Sequence, residues 1–409
     1  MKRIWVAGLL AMLTLSALAC GSSASANENS TSMSQSNSAS QSQTESGTSD
    51  TKSESKLSGA SSESTAESSV QAESTSEISS SSKEEKKQEV TLSNSQELTE
   101  DYTSMSGINV EKGAYIAVVA KGLDSSYWDM VEKGAKAAIK ELNTTLGYTG
   151  KDKIRMTFEG PGDNSDVDTQ INTIDAVLAD NPTVLCISAI DMQSCNAQLE
   201  TAHENGIPVV VIDSGVQNDL VASACATNNY AAGQLAAKKL CEAVQDSGEV
   251  AVMAHQQTSQ SSMDRVSGFM DEITKNHPNV TIVETSYENK DSSVEEMIES
   301  ILEKHANLAG YFCTNETVSV KTMQALDSAK NTRVKVVGFD AGTDQIKAVT
   351  EGNEYGIVCQ NPYGIGYASM VSAVRLAAKL PVDTYISSGF QWIDQSNMDL
   401  EENQVYLYE

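Results

Sequence analysis

Short apolar runs alternate with longer amphipathic segments over most of the chain beyond residue 112. Eight of these runs are four to six residues long, rich in β-branched side chains, and mostly apolar at consecutive rather than alternate positions. Continuous apolar runs of this length are typical of strands buried on both faces of a sheet. We therefore predict strands at 115–119, 184–188, 208–213, 250–253, 280–284, 309–313, 334–338 and 355–359.

Helical spacing marks the segments between these runs. Apolar residues recur three and four positions apart, which predicts helices at 127–142, 196–204, 230–244 and 294–304. Strands separated by helices are typical of parallel sheets covered on both faces. About 300 residues with this many strands exceed one compact unit. We therefore predict an α/β fold with two doubly wound parallel-sheet lobes.

The first twenty residues have the pattern of an export signal. Lys2 and Arg3 precede an apolar run at 4–19, and Cys20 and Gly21 follow it. A cysteine directly after the small residue Ala19 resembles a bacterial lipoprotein signal, in which the thiol receives a lipid and becomes the new N-terminus. An ordinary signal peptide with a chance cysteine is the alternative, and the run is short for a membrane span.

The segment that follows Cys20 is predicted to be a disordered tether, up to residue 112. Residues 21–100 contain 28 serines, 13 acidic and 5 basic side chains, and no Phe, Trp or Tyr. Such a composition offers too little apolar surface to offset the entropy of ordering the chain. A flexible segment of this length spans on the order of 50 Å.

The charge of the chain argues against nucleic-acid partners. The net charge is −28, of which −22 falls on residues 101–409. A strongly acidic surface repels nucleic acid and anionic lipid headgroups. We expect contact with a membrane only through the lipid on Cys20.

Six further cysteines leave two interpretations open, buried structural thiols or disulfides. No pair has CxxC spacing, and the four histidines show no metal-ligand spacing among themselves or with the cysteines. We therefore expect no metal and no cofactor. The six are Cys186, Cys195, Cys225, Cys241, Cys313 and Cys359.

Polar side chains follow the predicted strands directly. Ligands of open parallel sheets bind beyond the carboxyl ends of the strands. Asp213, Asn315, Asp340 and Gln360 each stand at such a strand end, and the aromatic pair Tyr127-Trp128 follows the first strand. The sequence therefore predicts a ligand site at the strand ends.

At these residues the chain resembles the periplasmic sugar-binding proteins of the ribose-binding type, over about residues 115–380. The pieces follow one another in the family's order. They are IAVV at 116–119 before Tyr127-Trp128, IPVVVID at 207–213, TNNYAAG at 227–233, DRVSGF at 264–269 and VVGFD at 336–340.

This resemblance implies a two-lobed binding protein with a three-segment hinge and a ligand cleft between the lobes. The lobes would be residues 113–227 with 361–388, and residues 228–360 with 389–409. Aromatic faces suit the C–H faces of a sugar, and charged and amide groups suit its hydroxyls. The resemblance places the ligand contacts at Tyr127, Trp128, Asp213, Arg265, Asn315, Asp340 and Gln360.

Each of these residues also has a purely structural interpretation. Asn315 and Asp340 precede helices and could be N-caps. Asp213 could belong to a turn, and Arg265 could form a surface ion pair. Gln360 could only shape the hinge, and the two aromatics could be core residues.

Two positions differ from the family's pattern. Ser214 stands where many pentose and hexose binders have arginine, so one strong donor is absent. Tyr287 aligns only loosely with another aromatic contact. The identity of the ligand is therefore open.

The resemblance implies a monomeric, lipid-anchored protein outside the plasma membrane that captures a sugar and delivers it to the permease of an ABC importer. A ligand-sensing subunit for a sensor kinase or chemoreceptor is the alternative. We expect no enzyme activity, because the chain has no nucleophile elbow, P-loop or HExxH motif. A DNA-binding repressor is excluded, because the export signal and tether stand where its DNA-binding helices would.

Overall fold

Two six-stranded sheets form the centre of the residues that the computed structural model describes, 98–408. In the first sheet all neighbouring strands are parallel, in the order β2-β1-β3-β4-β5-β11. These strands are β1 (Tyr115–Val119), β2 (Arg155–Glu159), β3 (Val184–Ile187), β4 (Val209–Ile212), β5 (Val221–Ala226) and β11 (Tyr385–Ser387).

The second sheet repeats this order as β7-β6-β8-β9-β10-β12, and only β12 runs antiparallel to its neighbour β10. Its strands are β6 (Gly248–Ala254), β7 (Val280–Tyr287), β8 (Leu308–Cys313), β9 (Lys335–Phe339), β10 (Gly356–Gln360) and β12 (Phe390–Ile393).

Helices cover both faces of each sheet. The first lobe consists of the first sheet with α1 (Ser126–Thr145) and α9 (Pro362–Ala377) on one face and α2 (Val167–Ala179) and α3 (Asn196–Glu204) on the other. The second lobe consists of the second sheet with the five helices from α4 to α8. These are α4 (Asn229–Ala243), α5 (Gln260–Asn276), α6 (Val294–Lys304), α7 (Glu316–Ser328) and α8 (Thr343–Glu351).

The predicted α/β fold with two doubly wound lobes is confirmed. Side chains of β1 alternate between the two cores of the first lobe, with Ile116 and Val118 on one face and Ala117 and Val119 on the other. This alternation explains why the strand is apolar at every position: both of its faces are buried.

The chain passes between the two sheets three times, at residues 227–228, 361 and 388–389. Side chains join the three crossings. The hydroxyl of Thr227 donates to Oε1 of Gln360 over 2.9 Å, and it lies 3.3 Å from the hydroxyl of Ser388. The three connections therefore form one hydrogen-bonded unit at the hinge.

The segment 98–112 departs from the prediction that the tether continues to residue 112. Tyr102, Met105, Ile108 and Val110 are buried in the core of the first lobe. The hydroxyl of Tyr102 also accepts a hydrogen bond from the backbone N–H of Asp383 over 2.7 Å. These four apolar side chains, two to three residues apart, pack on the side of the sheet covered by α1 and α9. The apolar surface that they bury offsets the entropy of ordering the segment, and the serine-rich part of the tether has few such side chains. The predicted tether before residue 98, and Cys20 with it, lies outside the described residues.

The six cysteines of the described part are all buried and free, which agrees with the interpretation as structural thiols. None of the helices between residues 98 and 408 combines the length and apolar character that crossing a bilayer requires.

Candidate functional site

A cavity of about 500 Å³ lies between the two lobes, at the carboxyl ends of both sets of strands. Ligand pockets in proteins span roughly 300–1,000 Å³. The structure brings all seven predicted contact residues to this one cavity, namely Tyr127, Trp128, Asp213, Arg265, Asn315, Asp340 and Gln360.

The first turn of α1 supplies the aromatic side of the cavity. Ser125 caps this helix, with its hydroxyl accepting the N–H of Trp128. The rings of Tyr127 and Trp128 meet edge to face with 5.3 Å between their centroids. Both residues are also members of the core of the first lobe. The core interpretation and the ligand interpretation are therefore compatible for this pair.

Asp213 and Asp340 occupy equivalent places in the two lobes. Asp213 follows β4 and Asp340 follows β9, and both have left-handed backbones with φ of 61° and 81°. Asp and Asn adopt this conformation more readily than most other side chains. The turn interpretation of Asp213 is thus correct for its backbone, and the same turn directs its side chain to the cavity.

The carboxylate of Asp340 is held on both oxygens. Gln360 donates from Nε2 to Oδ1 over 2.7 Å, and the backbone N–H of Glu316 donates to Oδ2 over 3.2 Å. Burial raises the pKa of Asp340, while the charge of Arg265 and the hydrogen bond from Gln360 oppose that rise. Asp340 does not cap α8, because Gly342 is the N-cap of that helix.

Arg265 is 2% exposed, so the interpretation as a surface ion pair is wrong. Its Nε donates to Oδ1 of Asn229 over 2.8 Å, and its Nη1 donates to the carbonyl of Thr314 over 2.6 Å. The guanidinium carbon lies 3.6 Å from the centroid of the Phe339 ring. These three contacts fix the orientation of the guanidinium at the cavity wall.

Asn315 and Gln360 combine structural contacts with a place on the cavity. Asn315 caps α7 by accepting the N–H of Val318 over 3.0 Å, as its capping interpretation predicts. Gln360 uses both ends of its amide, toward Asp340 and toward Thr227. It therefore connects the carboxylate in the cavity to the hinge.

Among the titratable cavity residues that are absent from the sequence prediction, three have shifted pKa values: Lys121, His255 and Glu316. Lys121 comes two residues after β1, and His255 directly follows β6. The strand-end rule that selects Asp213 and Asp340 would have selected His255, whereas Lys121 is one position too far along the chain. Glu316 is the first residue of α7, directly after the predicted Asn315. Tyr287 is not among the residues that line the cavity, although its neighbours Glu288, Asn289 and Lys290 are.

Burial shifts the pKa values of these three groups in different directions. Burial lowers the pKa of Lys121 to about 8, against the attraction of Asp213. It also lowers the pKa of His255, and the charges of Lys121 and Arg265 add to that effect. His255 is therefore neutral near pH 7, with Nδ1 within 2.8 Å of the hydroxyl of Thr314. Burial raises the pKa of Glu316 to about 7, and Asp340 and Asp344 contribute.

Direct hydrogen bonds join the lobes beside the cavity. Nζ of Lys121 donates to the hydroxyl of Ser259 over 2.7 Å, and Nε2 of Gln256 donates to the carbonyl of Asn164 over 2.9 Å. The hydroxyl of Ser214, at the position that differs from the family's arginine, lies 3.3 Å from that of Ser259. The two lobes are thus in contact across the cleft.

Tyr408 lies behind the cavity and contacts both lobes. Its hydroxyl accepts the N–H of Ala341, and its own N–H donates to the carbonyl of Ala341. Its ring packs against Tyr127 with 6.1 Å between the centroids. The segment after β12 thus joins the neighbour of Asp340 to the aromatic side of the cavity.

Comparison with known proteins gives consistent matches. The family model of the periplasmic binding protein domain matches residues 116–380. The ribose import binding protein RbsB of Haemophilus influenzae is 23% identical over 279 residues, 67% of this chain and 91% of that protein. The D-apiose import binding protein of Actinobacillus succinogenes is 27% identical over 234 residues, 57% of this chain and 71% of that protein.

Two solved structures from Agrobacterium vitis are similar as well. An ABC transporter solute-binding protein with bound D-fucose superposes with a TM-score of 0.66 and 29% identity, over 72% of this chain and 100% of that chain. A second, bound with α-D-tagatopyranose, superposes with a TM-score of 0.67 and 26% identity, over 72% of this chain and 99% of that chain.

Proposed function

This chain belongs to the periplasmic binding protein family, and on that basis we propose that it captures a sugar or sugar-like ligand outside the cell for an ABC importer. The observation that carries the proposal is the cavity between the lobes, where aromatic rings and buried hydrogen-bonding groups converge. Such a cavity can enclose a small polar ligand when the lobes close about the hinge.

The charges around the cavity favour a neutral ligand. Among the buried residues that line it, Lys121 and Arg265 supply two positive charges, and Asp213 and Asp340 can supply two negative ones. A ligand with a net charge would disturb this balance in a site shielded from water, at a high desolvation cost. A neutral polyhydroxylated ligand satisfies the same groups through hydrogen bonds.

The chemistry of a sugar fits the two sides of the cavity. Its C–H faces suit the rings of Tyr127 and Trp128, and its hydroxyls can donate to the carboxylates and accept from Arg265. A ligand without those hydroxyls would leave buried polar groups unpaired. The import names of the two relatives and the sugars bound to the two neighbours support this ligand class.

We further propose that Cys20 carries a lipid and that residues 20–97 form a tether to the outer face of the membrane. A tethered binding protein stays close to the permease that accepts its ligand. The names of the relatives favour import over the alternative role as a sensor subunit. We also propose that the protein is a monomer that binds its ligand without changing it chemically.

Titration calorimetry against a panel of neutral monosaccharides and polyols tests the proposed function. A ligand at a hundred times its Kd adds about 2.7 kcal/mol to the stability of the native state. The right sugar should therefore also raise the melting temperature. If no neutral sugar or polyol at millimolar concentration releases heat or raises the melting temperature, the proposed ligand class is wrong.

A further inference from the structure

A second group of ligand-type side chains lies in the second lobe, outside the cavity. The sulfur of Cys241, a carboxylate oxygen of Asp246 and a ring nitrogen of His277 all lie within 4.8 Å of one another. Sequence spacing gives no sign of this group, because 36 residues separate the cysteine from the histidine. A thiol, a carboxylate and an imidazole are all ligands that zinc accepts.

The ends of two helices bring these residues together. Cys241 lies in the last turn of α4, and Asp246 in the turn after it, where the N–H of Asp246 donates to the carbonyl of Cys241 over 2.8 Å. His277 is the C-cap of α5. Both helices end at the edge where β6 and β7 begin. The cluster is therefore at the opposite end of the lobe from the sugar cavity, which borders the carboxyl ends of the strands.

Three carboxylates act on the thiol, those of Asp246, Glu272 and Glu242, and Lys238 and Lys239 pair with the last two. The carbonyl ends of α4 and α5 both point to this region, and such ends favour a cation. Glu272 is 4% exposed, and its Oε1 lies 3.7 Å from Nε2 of His277.

We propose that Cys241, Asp246 and His277 form a binding site for Zn²⁺, with water as the fourth ligand and Glu272 beside the other ring nitrogen of His277. Bond lengths of about 2.0–2.3 Å place the ligand atoms of a tetrahedral site about 3.3–3.8 Å apart. Asp246 is exposed in a turn, so its side chain can move to close the remaining distance. On binding, the Cys241 thiol releases its proton to solvent and the thiolate sulfur bonds to the metal. The ion would link the ends of α4 and α5.

A hydrogen bond of 2.6 Å joins Nδ1 of His277 and Oδ1 of Asp246. A purely structural role would need this hydrogen bond and a buried, inert thiol. The two roles differ in one measurable respect, since only a metal site converts the Cys241 thiol to a metal-bound thiolate.

Cobalt titration of the full chain tests the site, because thiolate-bound Co²⁺ absorbs in the near ultraviolet through charge transfer from sulfur. We expect this band in the wild type and its loss when Zn²⁺ is added. Cys241→Ser should abolish the band, whereas Cys195→Ser, a buried thiol of the first lobe, should retain it. Asp246→Asn alters an exposed residue and should leave the protein folded with Zn²⁺ affinity at least tenfold lower.

The absence of the band in the folded wild type would overturn the proposal, as would a band that persists in Cys241→Ser. Unchanged Zn²⁺ affinity in Asp246→Asn would exclude the carboxylate as a ligand and overturn the site in this form. The sugar titration is independent of all three outcomes, because the cluster shares no residue with the cavity.

Discussion

The hydroxyl of Tyr127 donates a hydrogen bond of 2.6 Å to Oδ1 of Asp213, which connects the first turn of α1 to the end of β4. Burial raises the pKa of Tyr127, and the charge of Asp213 adds to the rise, so the phenol stays protonated as the donor. Within residues 98–408, the one other side-chain hydrogen bond to this carboxylate is longer, 3.4 Å from the hydroxyl of Ser188 to Oδ2. Tyr127 therefore sets the orientation in which Asp213 meets a ligand.

Tyr127→Phe should weaken sugar binding by about 1–2 kcal/mol, or five- to thirtyfold, because Asp213 loses its short, charge-assisted partner. Calorimetry with the sugar identified in the panel measures the change. The matched control is Tyr367→Phe, which removes an equally short bond to Glu141 outside the cavity. Equal affinity in Tyr127→Phe and the wild type would show that Asp213 is held without the phenol.

Asp340→Asn should lower the affinity for the ligand by about 2–4 kcal/mol if the carboxylate accepts a buried hydrogen bond from it. Asparagine is the suitable replacement, because it tolerates the left-handed backbone and keeps the shape of the side chain. Asp344→Asn, an exposed position in the first turn of α8, is the control. Loss of affinity in both variants would point to the overall charge of the lobe and away from a contact by Asp340.

Affinity for the ligand should fall as the pH rises through about 8, and Lys121→Met should flatten that part of the profile. Burial lowers the pKa of Lys121 to about 8, so its charge disappears in this range. Asp213 and Asp340 then face one buried cation in place of two, and the contact to Ser259 across the cleft weakens. The measurement is calorimetry between pH 6.5 and 9.5, with exposed Lys347→Met as the control. A wild-type profile that stays level across pH 8 would contradict the prediction.

The free energy of unfolding should fall as the pH rises from about 4.5 to 8 because of Glu354. Burial raises the pKa of this carboxyl from 4.5 to about 8. Between these values the folded protein binds more protons than the unfolded chain, so stability falls with pH, by at most about 1.4 kcal/mol per pH unit for one group. Below 4.5 both states are protonated and the effect vanishes.

Glu354→Gln should therefore unfold at higher urea concentration than the wild type at pH 8, with a smaller difference at pH 4.5. Glutamine keeps the shape of the glutamate side chain. This matters because the Glu354 side chain packs directly against Gly338, where there is no space for a larger group. Glu351→Gln, an exposed position in α8, should match the wild type at both pH values. Parallel pH profiles for Glu354→Gln and the wild type would mean that another group carries the dependence.

Cys20→Ser should release the protein from membranes of expressing cells into the medium or periplasm, because the lipid would have no attachment point. Detergent phase partitioning measures the change: the wild type should enter the detergent phase and the variant the aqueous phase. Cys195→Ser, which alters a buried thiol of the folded part, should partition like the wild type. An aqueous wild type would show that the signal is an ordinary one.

Apart from β7, which is only partly buried after Val280, the strands that the sequence predicts are those buried on both faces. Strands such as β4, with four buried aliphatic residues, have no polar position to obscure the pattern. The strands it misses lack that signal. β2 is half exposed, β5 consists mostly of small residues, and β11 and β12 have three and four residues. Their place in a sheet depends on neighbours that are distant in sequence.

The cavity residues show the same dependence on contacts between residues distant in sequence. Strand ends direct attention to Asp213 and Asp340 because the fold class alone places them at one edge. Lys121 is two residues beyond its strand, and its burial depends on contacts from the other lobe, including Ser259, 138 residues away. The zinc cluster is a stronger case, because only the packing of α4 against α5 brings Cys241 near His277.

The left-handed backbones of Asp213 and Asp340 restrict how this cavity can evolve. Aspartate and asparagine tolerate φ values of 61° and 81°, glycine would remove the side chain, and most other residues would strain the turn. Point mutations at these two positions therefore offer few new ligand contacts. The backbones of Lys121 and Ser214 carry no such restriction, so substitutions at these two positions can change ligand preference without straining a turn. Sequence differences among related cavities should therefore concentrate there.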